Sequence, residues 1–214
     1  MKIKYWGHSC FYLQASNGVS VITDPYTKVG YELPQGLKCD ILLVSHGHFD
    51  HAYAQAVNYR SLVSETGERE CLGVKIKGIE SFHDPLNGKL RGKNVIFKFE
   101  IDGLKICHFG DLGEPCSDAL CDEIGAVDVL LLPVGGTYTI DAAQALAYAQ
   151  KLAPKVVIPM HYKPQDGALD ITTAEGFLAY FAGKIQSVPN GEYELSLDNL
   201  SKELPILYME RAKE

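Results

Sequence analysis

The sequence predicts an α/β protein in which two similar β-sheets pack face to face, with helices covering their outer faces. Three observations support this fold class. The second half of the chain repeats the strand pattern of the first half at an offset of about 85 to 88 residues. The strands of the repeat are apolar on both faces, so each sheet needs cover on both sides. Segments with helical periodicity and capping residues lie between the strands.

The first half opens with a predicted hairpin and a buried strand. Its first strands are predicted over residues 2–6, 10–15, 19–23 and 41–44. Asn17-Gly18 is a strong signal for a two-residue hairpin turn. The third strand ends at Asp24-Pro25, because proline stops sheet pairing. Residues 26–36 contain two Gly, one Pro and two Tyr, which predicts a loop.

The rest of the first half is predicted to be a short helix, further strands and a basic loop. The helix is expected from about His51 to Tyr59, and residues 61–80 alternate like two or three strands. Residues 84–94 are rich in glycine and positive charge. The cations of this loop are Lys89, Arg91 and Lys93. They are typical of a solvated hairpin tip, or they contact an anionic substrate.

The second half repeats this plan and adds two helices. Its strands are predicted over residues 95–100, 104–109, 127–132, 155–159, 184–188, 192–197 and 205–209. Asp102-Gly103 takes the place of the first hairpin turn. Asp141 caps a predicted helix that ends at about Leu152. Thr172 and Glu175 form a predicted capping box for a second helix that carries Phe177, Leu178 and Phe181.

Composition limits the partners of the protein. A chain of 214 residues that is 46% hydrophobic can bury a sizeable core. We expect one domain over residues 1–214, with pseudo-repeat halves of about 1–94 and 95–214, since no linker separates them. The net charge of −7 makes nucleic acid an unlikely partner. The longest apolar runs are about four to six residues, far too short to span a membrane.

Cysteine usage predicts a reducing compartment. The six cysteines are scattered and contain no Cys-x-x-Cys pair. Several lie within apolar strands, where a free thiol packs as a small hydrophobe. The N-terminal residues read as a strand and lack the apolar segment of a signal peptide. We therefore expect a soluble, cytoplasmic protein, and a homo-oligomer remains open.

Four metal-binding side chains follow the strand at 41–44. They are His46, His48, Asp50 and His51, so three of the seven histidines of the chain fall within six positions. In an extended backbone, alternation places the first three of these side chains on one side. Packing imidazoles and a carboxylate together without a cation leaves polar groups in need of partners. The motif therefore predicts a divalent metal site.

Three more candidate ligands also occur where a predicted strand ends. They are His83 in Phe-His-Asp, Asp111 in Phe-Gly-Asp and His161 in Met-His-Tyr. A site between two sheets requires this placement, because the loops at the strand ends converge there.

Together these motifs resemble the metallo-β-lactamase superfamily over essentially the whole chain. The resemblance implies a four-layer αββα sandwich of two similar halves. It implies that His46, His48 and His83 bind a first metal ion, and that Asp50, His51 and His161 bind a second. Asp111 would bridge the two ions. Class B lactamases usually lack such a bridging aspartate, so the chain is more similar to the hydrolase, lactonase and phosphodiesterase branches.

Two shorter motifs are similar to one subgroup of that superfamily. Gly7-His8-Ser9 and Asp24-Pro25 resemble the ascorbate-phosphate-lactonase-like proteins and their uncharacterised bacterial and archaeal relatives. The resemblance implies a metal-dependent hydrolase that acts on a small ester, lactone or phosphoester. Two divalent ions, zinc above all, or else manganese or iron, would activate a hydroxide. Asp50 and Asp111 would be the catalytic carboxylates, and the small-molecule substrate can itself be anionic.

Four further residues have open roles. His8 is expected to contact substrate, to support a ligand or to be structural, and His108 to support a ligand or lie in the core. Tyr162, beside His161, is a candidate contact for the substrate oxyanion or the leaving group. A nucleophilic Cys10–His8 pair is disfavoured, because Cys10 begins an apolar strand.

Other functions are weighed against the leading hypothesis. A nuclease or RNA-processing phosphodiesterase of the same superfamily is disfavoured by the acidic charge and by the lack of a basic tract. A non-catalytic metal-binding protein explains the ligands but not their position at an open strand edge. A diiron redox protein needs a flavin domain or an electron partner. The substrate walls are expected from the loops 26–36, 84–94 and 135–140, which do not specify one molecule.

Overall fold

A computed structural model describes residues 1–200 and 206–212 as two β-sheets packed face to face, with three helices. The first sheet contains β1 (Lys2–Gly7), β2 (Cys10–Gln14), β3 (Ser20–Thr23), β4 (Leu37–Leu43), β5 (Val57–Val63) and β13 (Glu192–Glu194). The second sheet contains β6 (Gly67–Cys71), β7 (Val74–Phe82), β8 (Lys93–Ile101), β9 (Leu104–His108), β10 (Val129–Pro133), β11 (Val156–Met160), β12 (Ile185–Val188) and β14 (Ile206–Met209). The helices are α1 (Asp118–Ile124), α2 (Ala142–Leu152) and α3 (Glu175–Leu178).

The strand order confirms the predicted pair of sheets. The first sheet runs β13-β1-β2-β3-β4-β5, and the second runs β12-β14-β11-β10-β9-β8-β7-β6. Residue 205 of the last predicted strand lies outside the described residues. None of the described helices is long and apolar enough to cross a membrane.

The internal repeat is visible in the strand pairing. In the first sheet β2 pairs antiparallel with β3, which then pairs parallel with β4, and Val21 lies opposite Ile41. In the second sheet β8 likewise pairs antiparallel with β9, which then pairs parallel with β10, and Ile106 lies opposite Val129. The chain first passes from one sheet to the other between β5 and β6, and it returns to the first sheet for β13 before β14 joins the second. The predicted division into halves at residues 94 and 95 stays a prediction.

The main core lies between the two sheets. Inward-facing residues such as Val21 and Ile41 of the first sheet pack in one cluster with Phe97 and Leu131 of the second. Strand alternation turns Leu42 to the opposite face, where it belongs to a second cluster. Burial of both faces is what the apolar strand sequences require.

Helices and a loop cover the outer faces of the two sheets. Buried residues of α1 and α2 pack into the main core. The outer face of the first sheet is covered instead by the loop that contains Tyr26 and Val29. The predicted sandwich fold is confirmed, with this loop packed on the outer face of the first sheet.

The prediction of a helix over residues 51–59 is wrong. Only a single 3₁₀ turn forms, at Ala54–Ala56, and the chain then extends into β5. β5 pairs parallel with β4 from Leu37 opposite Val57 onwards. Completing the sheet edge with this backbone pairing overrides the local helical tendency.

The helix after Thr172 carries the expected Phe177 and Leu178 and continues as a 3₁₀ turn to Phe181, but its predicted cap does not form, and one helix was missed. The Thr172 hydroxyl donates to the carbonyl of Gly135, so it does not cap α3. In contrast, Asp141 forms the expected cap of α2 with Gln144. α1 was not predicted, although Ser117 caps it by accepting from the amide of Leu120.

Candidate metal centre

The candidate ligands follow strands that end at one edge of the sandwich. The chain leaves β4 towards His46, and it leaves β7, β9 and β11 towards His83, Asp111 and His161. β7, β9 and β11 all run in the same direction, because β8 lies antiparallel between β7 and β9, and β10 is parallel to both β9 and β11. Side chains from both sheets therefore meet at this edge, as expected from the sequence.

Asp111 lies at the centre of this group. Its Oδ1 atom is 2.9 Å from Nε2 of His51 and 3.2 Å from Nε2 of His161. Its Oδ2 atom is 3.3 Å from Nε2 of His83 and 3.8 Å from Nε2 of His46. The two oxygens of one buried carboxylate thus face two different pairs of imidazoles.

Three sets of side chains bring ligand atoms within 4.8 Å of one another. These sets are His46, His48 and His83; His46, His51 and Asp111; and His8, Asp50, His51 and His161. All seven residues that the sequence proposes as ligands therefore lie in one cluster, and His8 joins them. The cluster is buried apart from His48, which is exposed and opens it to solvent.

The cluster contains polar atoms that need a partner. Nε2 of His51, Nε2 of His161 and Oδ1 of Asp111 are buried without a well-aligned hydrogen bond in the described part of the chain. Unpartnered buried polar groups are costly, and a cation among these atoms would satisfy them. Imidazole and carboxylate donors fit a divalent ion such as Zn²⁺, Mn²⁺ or Fe²⁺.

His8 supports the carboxylate of Asp50. Its Nε2 atom lies 3.2 Å from Oδ2 of Asp50, and its carbonyl accepts the backbone N–H of His161 at 2.7 Å. The backbone of His8 is left-handed, with φ of 53°. The turn between β1 and β2 thus brings His8 against two candidate ligands.

Asp24 contacts His51 directly and His46 through the hydroxyl of Ser45. Its Oδ2 atom accepts from the Ser45 hydroxyl at 2.6 Å and lies 2.8 Å from Nδ1 of His51. The Ser45 hydroxyl also lies 3.0 Å from Nδ1 of His46. Fixing the second ring nitrogen orients a histidine for metal binding. The sequence indicated Asp24 as a strand end beside proline and as part of a subgroup motif, but not as a contact of His51.

Asn94 was missed by sequence reasoning and positions Asp111. Its side-chain oxygen accepts the backbone N–H of Asp111 at 2.9 Å. Its amide donates to the Ser81 hydroxyl at 2.8 Å and to the Phe109 carbonyl at 2.9 Å. The buried amide thereby ties the start of β8 to the turn after β9.

Asp111 and His46 have protonation states that suit metal binding, whereas His51 must release a proton to bind a metal ion. Burial alone raises the pKa of the Asp111 carboxyl, but His161 and His51 bring it well below its usual range. Burial lowers the pKa of His46 to about 3 and that of His8 to about 4. Burial also disfavours the charged form of His51, yet Asp111 and Asp24 hold its pKa well above the usual value. A metal ion therefore meets an ionised Asp111 and a neutral His46.

His108 and Tyr162 lie outside the cluster. Nε2 of His108 is 3.0 Å from the carbonyl of Ser9, and its Nδ1 accepts the N–H of Gly110 at 3.1 Å. The Tyr162 hydroxyl donates to the carbonyl of Met209 at 3.1 Å. The hydroxyl is buried in this contact, and its contact with a substrate stays a prediction.

Comparison with known proteins identifies the family. The family model described as the beta-lactamase superfamily domain matches residues 2–161. The chain belongs to the metallo-β-lactamase superfamily. A UPF0173 metal-dependent hydrolase of Nanoarchaeum equitans is 33% identical over 188 residues, which cover 76% of this chain and 84% of the relative.

Solved structures of the superfamily agree with this assignment. A crystal structure from Thermotoga maritima, named as a Zn-dependent hydrolase of the metallo-β-lactamase superfamily, is 37% identical, covers 97% of each chain and has a TM-score of 0.80. A metallo hydrolase of Ignicoccus hospitalis covers 91% of this chain and 99% of its own, and shares the fold with a TM-score of 0.68 at 22% identity. The predictions of the superfamily, its fold and a metal-dependent hydrolase are confirmed.

Proposed function

We propose that this metal-dependent hydrolase holds two divalent ions around Asp111 and cleaves a small ester, lactone or phosphoester. The observation that carries the proposal is the placement of the two Asp111 oxygens. Oδ2 faces His83 and His46, whereas Oδ1 faces His51 and His161. A carboxylate in that position is suited to bridge two ions.

The proposed ligand sets follow the same division. The first ion is assigned to His46, His48 and His83, and the second to Asp50, His51 and His161. The first set is supported by the ligand atoms that these three histidines bring together. The second is supported by the group that Asp50, His51 and His161 form with His8.

In this proposal, side chains of the protein orient a water molecule and accept its proton. Bound divalent ions supply Lewis acidity to the substrate oxygen and make water more acidic. Asp50 is held by His8, and its pKa is low because this hydrogen bond and His51 outweigh its burial. An ionised carboxylate at the cluster can orient a water molecule and take its proton. Asp111 stays in place through the Asn94 contact.

Donor chemistry and charge guide the choice of metal and substrate. Nitrogen and oxygen donors favour zinc, and they also accept manganese or iron. The net charge of −7 favours a small molecule over RNA, which needs a basic surface.

Metal analysis tests the proposal directly. Protein purified without chelator should carry about two ions per chain, and Asp111→Asn should carry fewer and lose turnover. Asp128→Asn is the matched control, because Asp128 pairs with Lys155 away from the cluster. Hydrolysis is then measured on lactones, phosphodiesters and thioesters. A wild-type protein that takes up no ion from added zinc or manganese contradicts the proposal.

A further inference from the structure

The loop that follows His83 is preformed around one carboxylate. The side chain of Asp84 accepts backbone N–H groups at 2.8 to 3.1 Å from Leu86, Gly88, Leu90 and Arg91. The N–H of His83 donates to the carbonyl of Gly92 at 3.1 Å, which closes the loop beside a candidate ligand. The backbone of Arg91 is therefore fixed close to the metal centre. We refer to residues 84–92 as the Asp84 loop.

The Arg91 side chain reaches a second loop of the site. Its Nη2 atom donates to the carbonyl of Thr137 at 3.3 Å, and the guanidinium lies 5.6 Å from the ring centroid of Tyr138. The loop 134–140 follows β10, and its Ile140 N–H donates to the carbonyl of Leu112 at 2.8 Å. Since Leu112 follows Asp111, Arg91 spans two loops that flank the central carboxylate.

The three cations of this region differ in what they contact. Nζ of Lys93 lies 2.5 Å from a carboxylate oxygen of Glu80, so its charge is paired. Lys89 is exposed at the tip of the loop. Arg91 is half-buried, and within residues 1–200 and 206–212 it forms no ion pair with a carboxylate. Arg91 is thus the cation that is both anchored at the site and available to an anion.

The loop 134–140 has a left-handed backbone at Thr137, where Arg91 contacts it. Thr137 has φ of 59°, a left-handed conformation that is costly for a β-branched residue. Its carbonyl is the one that accepts the Arg91 hydrogen bond. Strained residues of this kind cluster at ligand-binding sites, where the surrounding structure holds them.

We propose that Arg91, lying over Tyr138, binds a carboxylate of the substrate at a distance from the bond that is cleaved. A planar guanidinium matches a carboxylate through paired hydrogen bonds, and a second charge on the substrate then sets its orientation. This inference rests on the proposed hydrolase function and narrows its substrates to anionic esters and lactones. Arg91 is a specificity residue in this assignment, since it contacts the substrate away from the reacting atoms.

Paired substrates test this assignment on the metal-loaded protein. The 4-nitrophenyl monoester of adipic acid and 4-nitrophenyl hexanoate have the same chain length and differ in the terminal carboxylate. Arg91→Gln should raise KM for the adipate ester by about tenfold or more. It should leave KM for the hexanoate ester unchanged. Arg91→Lys should recover only part of the loss, because lysine lacks the planar fork. Lys93→Gln is the control and should behave like the wild type.

Calorimetric binding of adipate separates this inference from the hydrolase function. Adipate should bind the metal-loaded wild type more tightly than Arg91→Gln by a similar factor. If neither ester is cleaved but this difference is found, ester hydrolysis fails and the carboxylate subsite stands. If both esters are cleaved without discrimination, the hydrolase stands and the subsite is overturned. Equal binding by the two proteins, or no binding by the wild type, also overturns the subsite.

Discussion

Nδ1 of His51 lies 2.8 Å from Oδ2 of Asp24, and both side chains are completely buried. The opposite nitrogen of the same ring, Nε2, lies 2.9 Å from Oδ1 of Asp111. The imidazole is therefore held between a carboxylate that orients it and a carboxylate of the candidate metal centre. A carboxylate that fixes the second ring nitrogen of a ligand histidine affects metal affinity strongly.

Replacing Asp24 should weaken metal binding. Asp24→Asn keeps the shape of the side chain but removes the charge that orients His51, so affinity for the metal should fall by roughly 10–100-fold. Competition with a chromophoric chelator measures the change. Asp40→Asn is the control, because Asp40 makes comparable contacts with Ser20 and Arg60 outside the cluster. Equal affinities in all three proteins would contradict this role.

Adding one methyl group at Gly135 should disturb the site through the backbone. A Cβ atom there would lie 2.1 Å from the carbonyl oxygen of His161, which cannot move away as a flexible side chain could. Gly135→Ala should lower the free energy of unfolding by roughly 1–3 kcal/mol and weaken metal binding. Denaturant titration measures the first effect and metal analysis the second.

Gly176→Ala provides the comparison. Its Cβ atom would lie 3.7 Å from that of Ala142, an ordinary contact, and alanine favours a helix. Stability should therefore be unchanged or slightly higher. A Gly135→Ala protein as stable as this control would show that the two loops do not approach as closely as described.

The Asp84 loop should open when its carboxylate is replaced. Asp84→Asn leaves one oxygen for four amide donors and turns an NH₂ group towards them. Hydrogen exchange at residues 86–91 should become faster, while exchange in β10 stays unchanged. The same variant should also lose part of the preference for anionic esters, because Arg91 is anchored by this loop. Unchanged protection of the loop would refute the anchoring.

Thiol reactivity should separate the cysteines into two classes. All six are free, and the half-buried ones are Cys71 and Cys116. Burial raises the pKa of Cys39, Cys107 and Cys121 to about 12, and it raises the pKa of Cys10 well above its usual value. At pH 8 a disulfide reagent should therefore modify two thiols of the native protein quickly and the other four slowly, because the thiolate is the reactive form. Denaturant should expose all six, and rapid modification of more than two native thiols would contradict this burial.

Removing the metal should lower the thermal stability of the protein. A ligand present at 1,000 times its dissociation constant stabilises the native state by about 4 kcal/mol, which corresponds to roughly 8–16 °C in Tm for a chain of this size. Calorimetry with and without chelator should show this difference in the wild type and a smaller one in Asp111→Asn. An identical Tm with and without chelator would argue against a metal that is coupled to folding.

Local sequence patterns were sufficient to predict the sheets and the edge at which the candidate ligands lie. The alternation around Val21 and the apolar run at Ile41 predicted strands because burial on a sheet has a fixed period. His83, Asp111 and His161 were expected together because each follows such a strand. Their assembly around one carboxylate agrees with that expectation.

The supporting contacts were not predictable from local patterns. Asp24 and His51 are 27 positions apart, and Asn94 and Asp111 are 17 apart, so each pair depends on how distant strand ends meet. The helix expected near Tyr59 failed for a related reason. Backbone pairing with β4 decided the conformation there, and no local propensity reports on such a partner.

The internal repeat is broken at the point where it would matter most. At the repeat offset, Gly135-Gly136 stand where the first half carries its histidine motif. The first half therefore provides donor atoms at this point, and Gly135 of the second half leaves the space into which the His161 backbone fits. A histidine at position 135 would therefore clash with the backbone carbonyl of His161, a residue of the candidate metal centre. A second copy of the histidine motif at the end of β10 would thus displace a backbone segment that the candidate metal centre includes.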